Sequence, residues 1–448
     1  MRRTAAYGVL ALVSAPFVLA VVVGCRRDGG GAKLEKSEEA ELPPVPVVPV
    51  PDENGPRLGA VASIVPVFDR PSKRGTRLGY LHAGETVARA TTAFSTKGCE
   101  GGWYPVRPRG FVCNGPATTL DSRHPTLVAM GRTADPASAL PYTYARTVRD
   151  TTLYEADPDH DGAARALGEV RARSGLALVG SWNAKGPDGR ALRLAMTTDG
   201  RFVPADDLES AAPSSFRGAA LDDETKLPLA FVVKRGVHAW KLSGDETEKS
   251  GLLDYHARVD LTGKFRTLSG VEFWATTDGR WVRLRDVTVV RERHEFPAFA
   301  TEGRRWIDVS VVTGTLVAYE GRRAVYATLA SVGRDRLGAP DGAQATTRGE
   351  HQVVEKHVTL VGADPAKFAD GVSIYDVPWA LELSSGQYLL GAYWHDRFGI
   401  EHGPGNVEVS PEDAAALFRF ATPELSAGFH GVTAPADEAS RTIVNVRK

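Results

Sequence analysis

The sequence is short of everything that draws nucleic acid. Its 448 residues carry 54 lysines and arginines against 55 aspartates and glutamates. No basic run or basic-aromatic stripe breaks that balance, so nothing suggests a local field for a phosphate backbone, and no nucleic-acid partner is expected. Cysteine is scarce, with three in the chain. No histidine accompanies Cys99 or Cys113 at ligand spacing, which argues against a thiolate metal site. One loop lacks more than the rest. In "EHGPGNVEVSP" (401–411) a His-Gly pair sits in a Gly/Pro loop at a helix entrance, a natural place for reactive chemistry. The loop holds no cysteine, and its one hydroxyl, Ser410, comes late, where a helix cap belongs.

What is present describes a soluble, β-rich, multidomain chain. Apolar residues make up 42% and charged residues 24%, as in globular proteins. The length predicts two to four domains. Glycine (46) and proline (28) are somewhat rich, favouring many turns and short strands over long helices.

The N-terminus reads as a targeting segment. "MRR" supplies a positive start, the following "TAAYGVLALVSAPFVLAVVV" is apolar, and Val22-Val23-Gly24-Cys25 ends it. This resembles the lipobox of bacterial lipoproteins, in which small residues precede a cysteine that receives the lipid. Residues 1–25 are therefore expected to be a lipoprotein signal peptide with Cys25 lipidated. The alternative is an uncleaved membrane anchor. Either reading places the rest of the chain outside the cytoplasm, on the bacterial cell envelope, facing the periplasm or cell exterior. Residues 26–56, Gly-rich and then Pro-rich, read as a tether; about thirty residues at ~3 Å each reach up to ~90 Å. Setting Cys25 aside leaves Cys99 and Cys113, an even number in an oxidising compartment. They read as a local disulfide, worth about 3 kcal/mol by the chain-entropy relation, with two buried thiols as the alternative.

From Arg57 the pattern turns to short alternating strands. The order "VFDRPSKRGTRLGYLHAGETV…GWYPVRPRGFVC" resembles bacterial SH3-like domains, small β-barrels common in wall-associated proteins, and assigns 57–120 to a binding or positioning module. The region 121–300 contains an echo: "TTDGRFVPADDLE" (197–209) and "TTDGRWVRLRDVT" (276–288). Asp-Gly marks a hairpin turn because glycine takes positive φ without steric cost. Two related β-units are expected, with the aromatic residue and the later aspartate on set faces of a strand. "DPDHDGAARALGE" (157–169) has calcium-like acidic spacing but no glutamate at loop position 12, so it reads as a solvated loop leading into a helix.

Residues 301–448 contain the opening loop. "RWIDVSVVTGTLVAYEG", "YDVPWALEL", "GAYWHDRFG", the His402-Gly403 pair, "SPEDAAALFRF" and "GFHGV" follow one another in an order that resembles the catalytic domain of L,D-transpeptidases (YkuD type), which remodel peptidoglycan. The resemblance implies a mostly β, sandwich-like fold with its site on loops at a groove. It also implies a thiolate that attacks a stem-peptide carbonyl, a histidine base, and backbone donors for the oxyanion. The family's site motif is Ser/Thr-His-Gly-Cys; here it reads Glu401-His402-Gly403-Pro404. Proline has neither nucleophile nor N–H. Two residues are inserted before Ser410-Pro411, Leu390 replaces an upstream histidine, and "TTRGEH" (346–351) replaces a substrate-side segment. Four departures around one site, on a retained framework, predict a catalytically inactive protein that binds peptidoglycan or a wall-remodelling enzyme. The alternative is an active transpeptidase-like acyl transferase with a non-standard nucleophile, and a third reading is a structural envelope protein. Ser410 is a weak nucleophile candidate, since Ser-Pro-Glu-Asp reads as a helix cap. His395 is another weak candidate, and Asp396 and Glu401 are possible groove-floor residues. No metal or cofactor is implied.

Overall fold

Turn residues cut this chain into short strands, and the protein is mainly β. The computed structural model describes residues 44–131, 134–157, 159–334, 344–362, 364–369 and 371–448. Pro44–Lys448 is one compact unit. The signal segment, Cys25 and the first part of the 26–56 tether lie outside the described residues. Within them, no helix is long and apolar enough to cross a membrane.

Three β modules come first. The first contains β1 (Arg57–Ala60), β2 (Val65–Phe68), β3 (Arg77–Leu81), β4 (Thr86–Ala88), β5 (Trp103–Pro105), β6 (Phe111–Cys113) and β7 (Thr118–Thr119). A short helix, α1 (Pro125–Ala129), leads to the second: β8 (Thr143–Thr147), β9 (Thr151–Ala156), β10 (Ala164–Val170), β11 (Gly175–Lys185), β12 (Ala191–Thr197), β13 (Phe202–Pro204) and β14 (Leu208–Ser210). After a linking strand, β15 (Ala219–Ala220), the third has β16 (Leu229–Val232), β17 (Val237–Ser243), β18 (Glu246–Leu253), β19 (Arg258–Leu268), β20 (Val271–Thr276), β21 (Trp281–Arg283) and β22 (Val287–Val290).

The second module pairs in the order β14-β8-β11-β12-β13-β9-β10 and the third as β22-β16-β19-β20-β21-β17-β18. The first divides the same path into β7-β1-β4 and β5-β6-β2-β3, joined by a bridge between Arg89 and Val106. All three modules therefore share one strand order. The Thr-Thr-Asp-Gly-Arg segment is the turn between the fifth and sixth strands. Gly200 and Gly279 take φ of 77° and 84° there. Thr197 and Thr276 each donate a 2.5 Å hydrogen bond to the turn aspartate, Asp199 or Asp278. The later aspartates, Asp207 and Asp286, lie in single 3-10 turns rather than on strands. There Asp207 meets Arg149 and Thr151, and Asp286 meets Arg283.

Two further expectations change. "AARALGEV" has good helix formers, yet forms β10, which pairs along β9; partnership in the sheet overrides local preference. The end of the Pro-rich stretch is packed rather than free: Val48 lies against Trp103 and Phe111, and Arg107 donates to the Pro51 carbonyl at 3.2 Å.

The C-terminal unit contains β23 (Arg305–Ser310), β24 (Thr315–Glu320), β25 (Arg323–Leu329), β26 (Gly349–Val361), β27 (Asp376–Leu383), β28 (Tyr388–Gly391), β29 (Val407–Val409), α2 (Pro411–Phe420), β30 (Gly431–Thr433) and β31 (Ile443–Arg447). The long β26 pairs with β31 through its first half and with β27 and β30 through its second, so it belongs to two sheet layers. Ile307, Leu316, Leu381, Leu389, Val407 and Leu417 fill the space between. Ser410 caps α2 by accepting the Asp413 N–H at 3.1 Å, with Pro411 in the first turn. At the other end the buried Lys356 ammonium donates to the Phe418 and Ala421 carbonyls, each at 2.6 Å, satisfying acceptors that a helix end leaves open.

Buried polar contacts lock modules to the C-terminal unit. Strand β3 pairs with β30, Tyr80 opposite Gly431. His430 meets Glu85 at 3.0 Å. Asp376 accepts the Ala177 N–H at 2.9 Å and the Thr198 hydroxyl at 2.5 Å.

Candidate functional site

Three side chains converge where the sequence placed the remnant motif, and one of them was not singled out there. β29 runs parallel to β28, with Glu408 opposite Leu390. The Glu408 backbone exchanges two hydrogen bonds with Ser331, at 2.7 and 2.8 Å. Its carboxylate is fully buried. Oε2 receives His395 Nε2 at 2.7 Å and His402 Nδ1 at 3.0 Å, and the two imidazoles lie 4.0 Å apart. Oε1 has no hydrogen-bond partner. No local signal marked Glu408: an acid between two valines reads as the solvent-facing member of an alternating strand.

Backbone geometry fixes both histidines. The Arg397 N–H donates to His395 Nδ1 at 3.0 Å, so the ring proton sits on Nε2 and goes to Glu408. The His402 N–H donates to the Val332 carbonyl at 2.9 Å, and its ring gives the Nδ1 proton to Glu408. His402 Nε2 makes no hydrogen bond to the described residues. Gly403, at φ 71°, packs on the carboxylate: a Cβ there would lie 2.7 Å from Glu408 Oε1.

A buried carboxylate that accepts from an imidazole is an arrangement able to orient a general base. Pro404 follows Gly403. Ser410 is fully buried and committed to the helix cap. Ser331, also fully buried, donates to the Arg397 carbonyl. Leu390 is buried in β28. Glu401 is exposed and does not join the cluster, whereas Asp396 turns to Arg235 at 3.4 Å. Of the replaced segment, Thr346 receives the Gly333 N–H at 2.8 Å, and His351 bonds the Thr347 carbonyl at 2.8 Å. Cys99 and Cys113 form a disulfide across the β5–β6 hairpin, with Cα atoms 5.8 Å apart.

His395, His402 and Glu408 have metal-ligand spacing, as do Glu355, His357 and Glu382. The first set does not fit a metal ion. A ligating imidazole donates its second N–H outward, but His395 accepts there, which leaves Nε2 protonated. In the second set Arg77 takes one Glu355 oxygen, while Glu355 Oε1 and His357 Nε2 have no hydrogen-bond partner among the described residues.

No protein-family model matches the chain, and no curated protein does. Among solved structures the chain is similar to the L,D-transpeptidase from Xylanimonas cellulosilytica (16% identity over 35% of this chain and 65% of that one, TM-score 0.24). It is similar to an L,D-transpeptidase from Mycobacterium smegmatis (14% identity, 54% and 89% covered, TM-score 0.25). A third is Mycobacterium tuberculosis L,D-transpeptidase 1 (22% identity, 42% and 82% covered, TM-score 0.22). The chain spans under two thirds of the first of these. The likeness is distant and partial, and no activity is carried over from it.

Proposed function

We propose that this chain is a lipid-anchored cell-envelope protein whose C-terminal unit is an L,D-transpeptidase-like domain that has lost acyl transfer and binds peptidoglycan or a wall-remodelling partner. The observation that carries this reading is the pairing of an intact base with an absent nucleophile. His402 is still oriented by Glu408, yet the loop supplies Pro404 in place of a thiol, and both nearby serines are buried and bonded elsewhere. The first module is taken as an SH3-like positioning domain, and the shared strand order extends that assignment to the second and third.

The retained Glu408–His402 pair is the one feature that favours acyl transfer with a non-standard nucleophile. Incubating residues 44–448 with purified peptidoglycan separates the two readings. Mass spectrometry of the released muropeptides is expected to show no new cross-links and no loss of terminal D-residues, while the protein sediments with the wall. New products abolished by His402→Ala would overturn the inactive reading. Protein that stays in the supernatant would overturn wall binding.

A further inference from the structure

Two carboxylates face each other across the C-terminal sheet, and a buried imidazole joins them. Glu355 of β26 stands directly opposite Glu382 of β27. Like charges in that register cost stability unless a cation answers them. His357 lies two residues along β26 and so projects from the same face as Glu355. One ligand atom from each of the three lies within 4.8 Å of the others. Arg77 pairs with one Glu355 oxygen, a single guanidinium against two carboxylates, which leaves a negative charge in excess.

The cluster is built but not closed by hydrogen bonds. His357 and Glu355 are 5% and 7% exposed, and His357 Nε2 and Glu355 Oε1 have no hydrogen-bond partner among the described residues. Nε2 is aimed at Glu382 Oε2 from 3.6 Å, too far for a hydrogen bond. The imidazole is held from behind, where its Nδ1 meets the Tyr80 hydroxyl at 3.0 Å. The Tyr80 ring crosses Gly431 to reach it; a Cβ on Gly431 would come within 2.1 Å of that ring. A tyrosine oxygen can accept the Nδ1 proton, which turns the Nε2 lone pair toward the carboxylates, as a ligating histidine requires. His395 differs, because there a backbone N–H claims the lone pair of the second nitrogen.

We propose that Glu355, His357 and Glu382 bind a zinc ion that ties β26 to β27. The 3.6 Å between Nε2 and Oε2 is close to the edge, about 3.4 Å, of a tetrahedron of ligands about 2.1 Å from zinc. Such an ion needs no water-sized void, because it seats between its ligand atoms and draws them in. Glu382, whose side chain is 32% exposed, is the side from which the ion enters and on which water completes its shell. One imidazole with two carboxylates suits zinc better than calcium, which takes about six to eight oxygens. This inference rests on the three side chains alone and stands whether or not the chain binds peptidoglycan.

The test strips the full chain in detergent with a chelator and dialyses it against zinc chloride at low micromolar free zinc. Metal analysis is expected to find one zinc ion per chain, and X-ray absorption at the zinc edge a single imidazole among nitrogen and oxygen ligands. Glu382→Gln and His357→Gln should each raise the zinc Kd at least about ten-fold. Glu382 is part-exposed, so its variant carries the test even where loss of the buried histidine disturbs folding, which circular dichroism checks. No zinc retained after dialysis, or an unchanged Kd in a folded Glu382→Gln protein, would overturn the proposal. So would two imidazoles in the shell, which would put the ion at His395 and His402. Tighter binding of manganese or calcium in parallel dialyses would overturn the assignment to zinc.

Discussion

At the scale of single residues, the His395–His402 cluster is organised by Glu408. A buried carboxylate receiving two imidazole protons sets the tautomer of both rings, and neither histidine is free to turn. Glu408→Gln offers one amide oxygen to two N–H donors, so His402 is expected to shift toward the Nε2–H tautomer. Long-range proton–nitrogen correlation spectra of the histidine rings would show it; an unchanged Nδ1–H pattern would mean that the loop backbone, not Glu408, holds the ring. Gly403→Ala meets both a left-handed φ and the carboxylate oxygen, and is expected to cost about 1–2 kcal/mol from the backbone alone. Urea denaturation of the two proteins measures that difference. The sequence made His402, Gly403, Pro404 and His395 visible because they sit in an irregular loop. Glu408 was hidden because a strand "VEV" carries no local mark of which side chain turns inward.

At the scale of elements, turns and caps were legible and partnership was not. Asp-Gly specified both hairpins, and Ser-Pro-Glu-Asp specified the start of α2. The helix expected after Asp161 became β10 because β9 presented an edge to pair with. Likewise, nothing local to Asp376 tells that β27 begins on module two. That aspartate has a testable consequence. Burial raises its pKa to about 7, opposed by its bonds from Thr198 and Ala177. Asp199 pushes the value further up and His430 pulls it down. A carboxyl with a raised folded-state pKa gives stability that is full below its unfolded value of 3.8 and is lost as pH rises through about 7. Asp376→Asn can accept from Ala177 and donate to Thr198 without ionising. Its stability is therefore expected to lack that decline, which is at most ~1.4 kcal/mol per pH unit, and to exceed the parent's at pH above about 7. Denaturant titrations across that range would reveal parallel curves if the idea is wrong. Lys356 does not confuse the result. Burial depresses its pKa to about 7, so its contribution is present above 10.5 and lost as pH falls through about 7, leaving the acid range to Asp376.

At the scale of the molecule, the three modules share one strand order, and the first two are tied to the C-terminal unit by buried hydrogen bonds that join residues far apart in the chain. Composition predicted a multidomain β protein, and the Thr-Thr-Asp-Gly-Arg echo announced two related units. The first module shares their strand path without sharing that sequence, so no motif could reveal it. Residues 301–448 alone would lack β3 against β30, Glu85 against His430 and Thr198 against Asp376. Expressed by themselves, they are expected to melt at lower temperature than residues 44–448 or to aggregate, which thermal scans followed by circular dichroism would decide. Replacing Cys25 with alanine is expected to move the full chain from the membrane to the soluble fraction; a protein that remains sedimentable with membranes would point to an uncleaved apolar anchor.

The packed end of the Pro-rich stretch matters mechanically. Val48 rests on the cluster around Trp103 and Phe111, closed by the disulfide, and Arg107 holds the Pro51 carbonyl. A tug on the residues before Pro44 must first peel this segment from a cross-linked hairpin. The contacts of Val48 and Pro51 are thus the first that a pull from the N-terminal side would load, ahead of the disulfide-closed hairpin on which they rest.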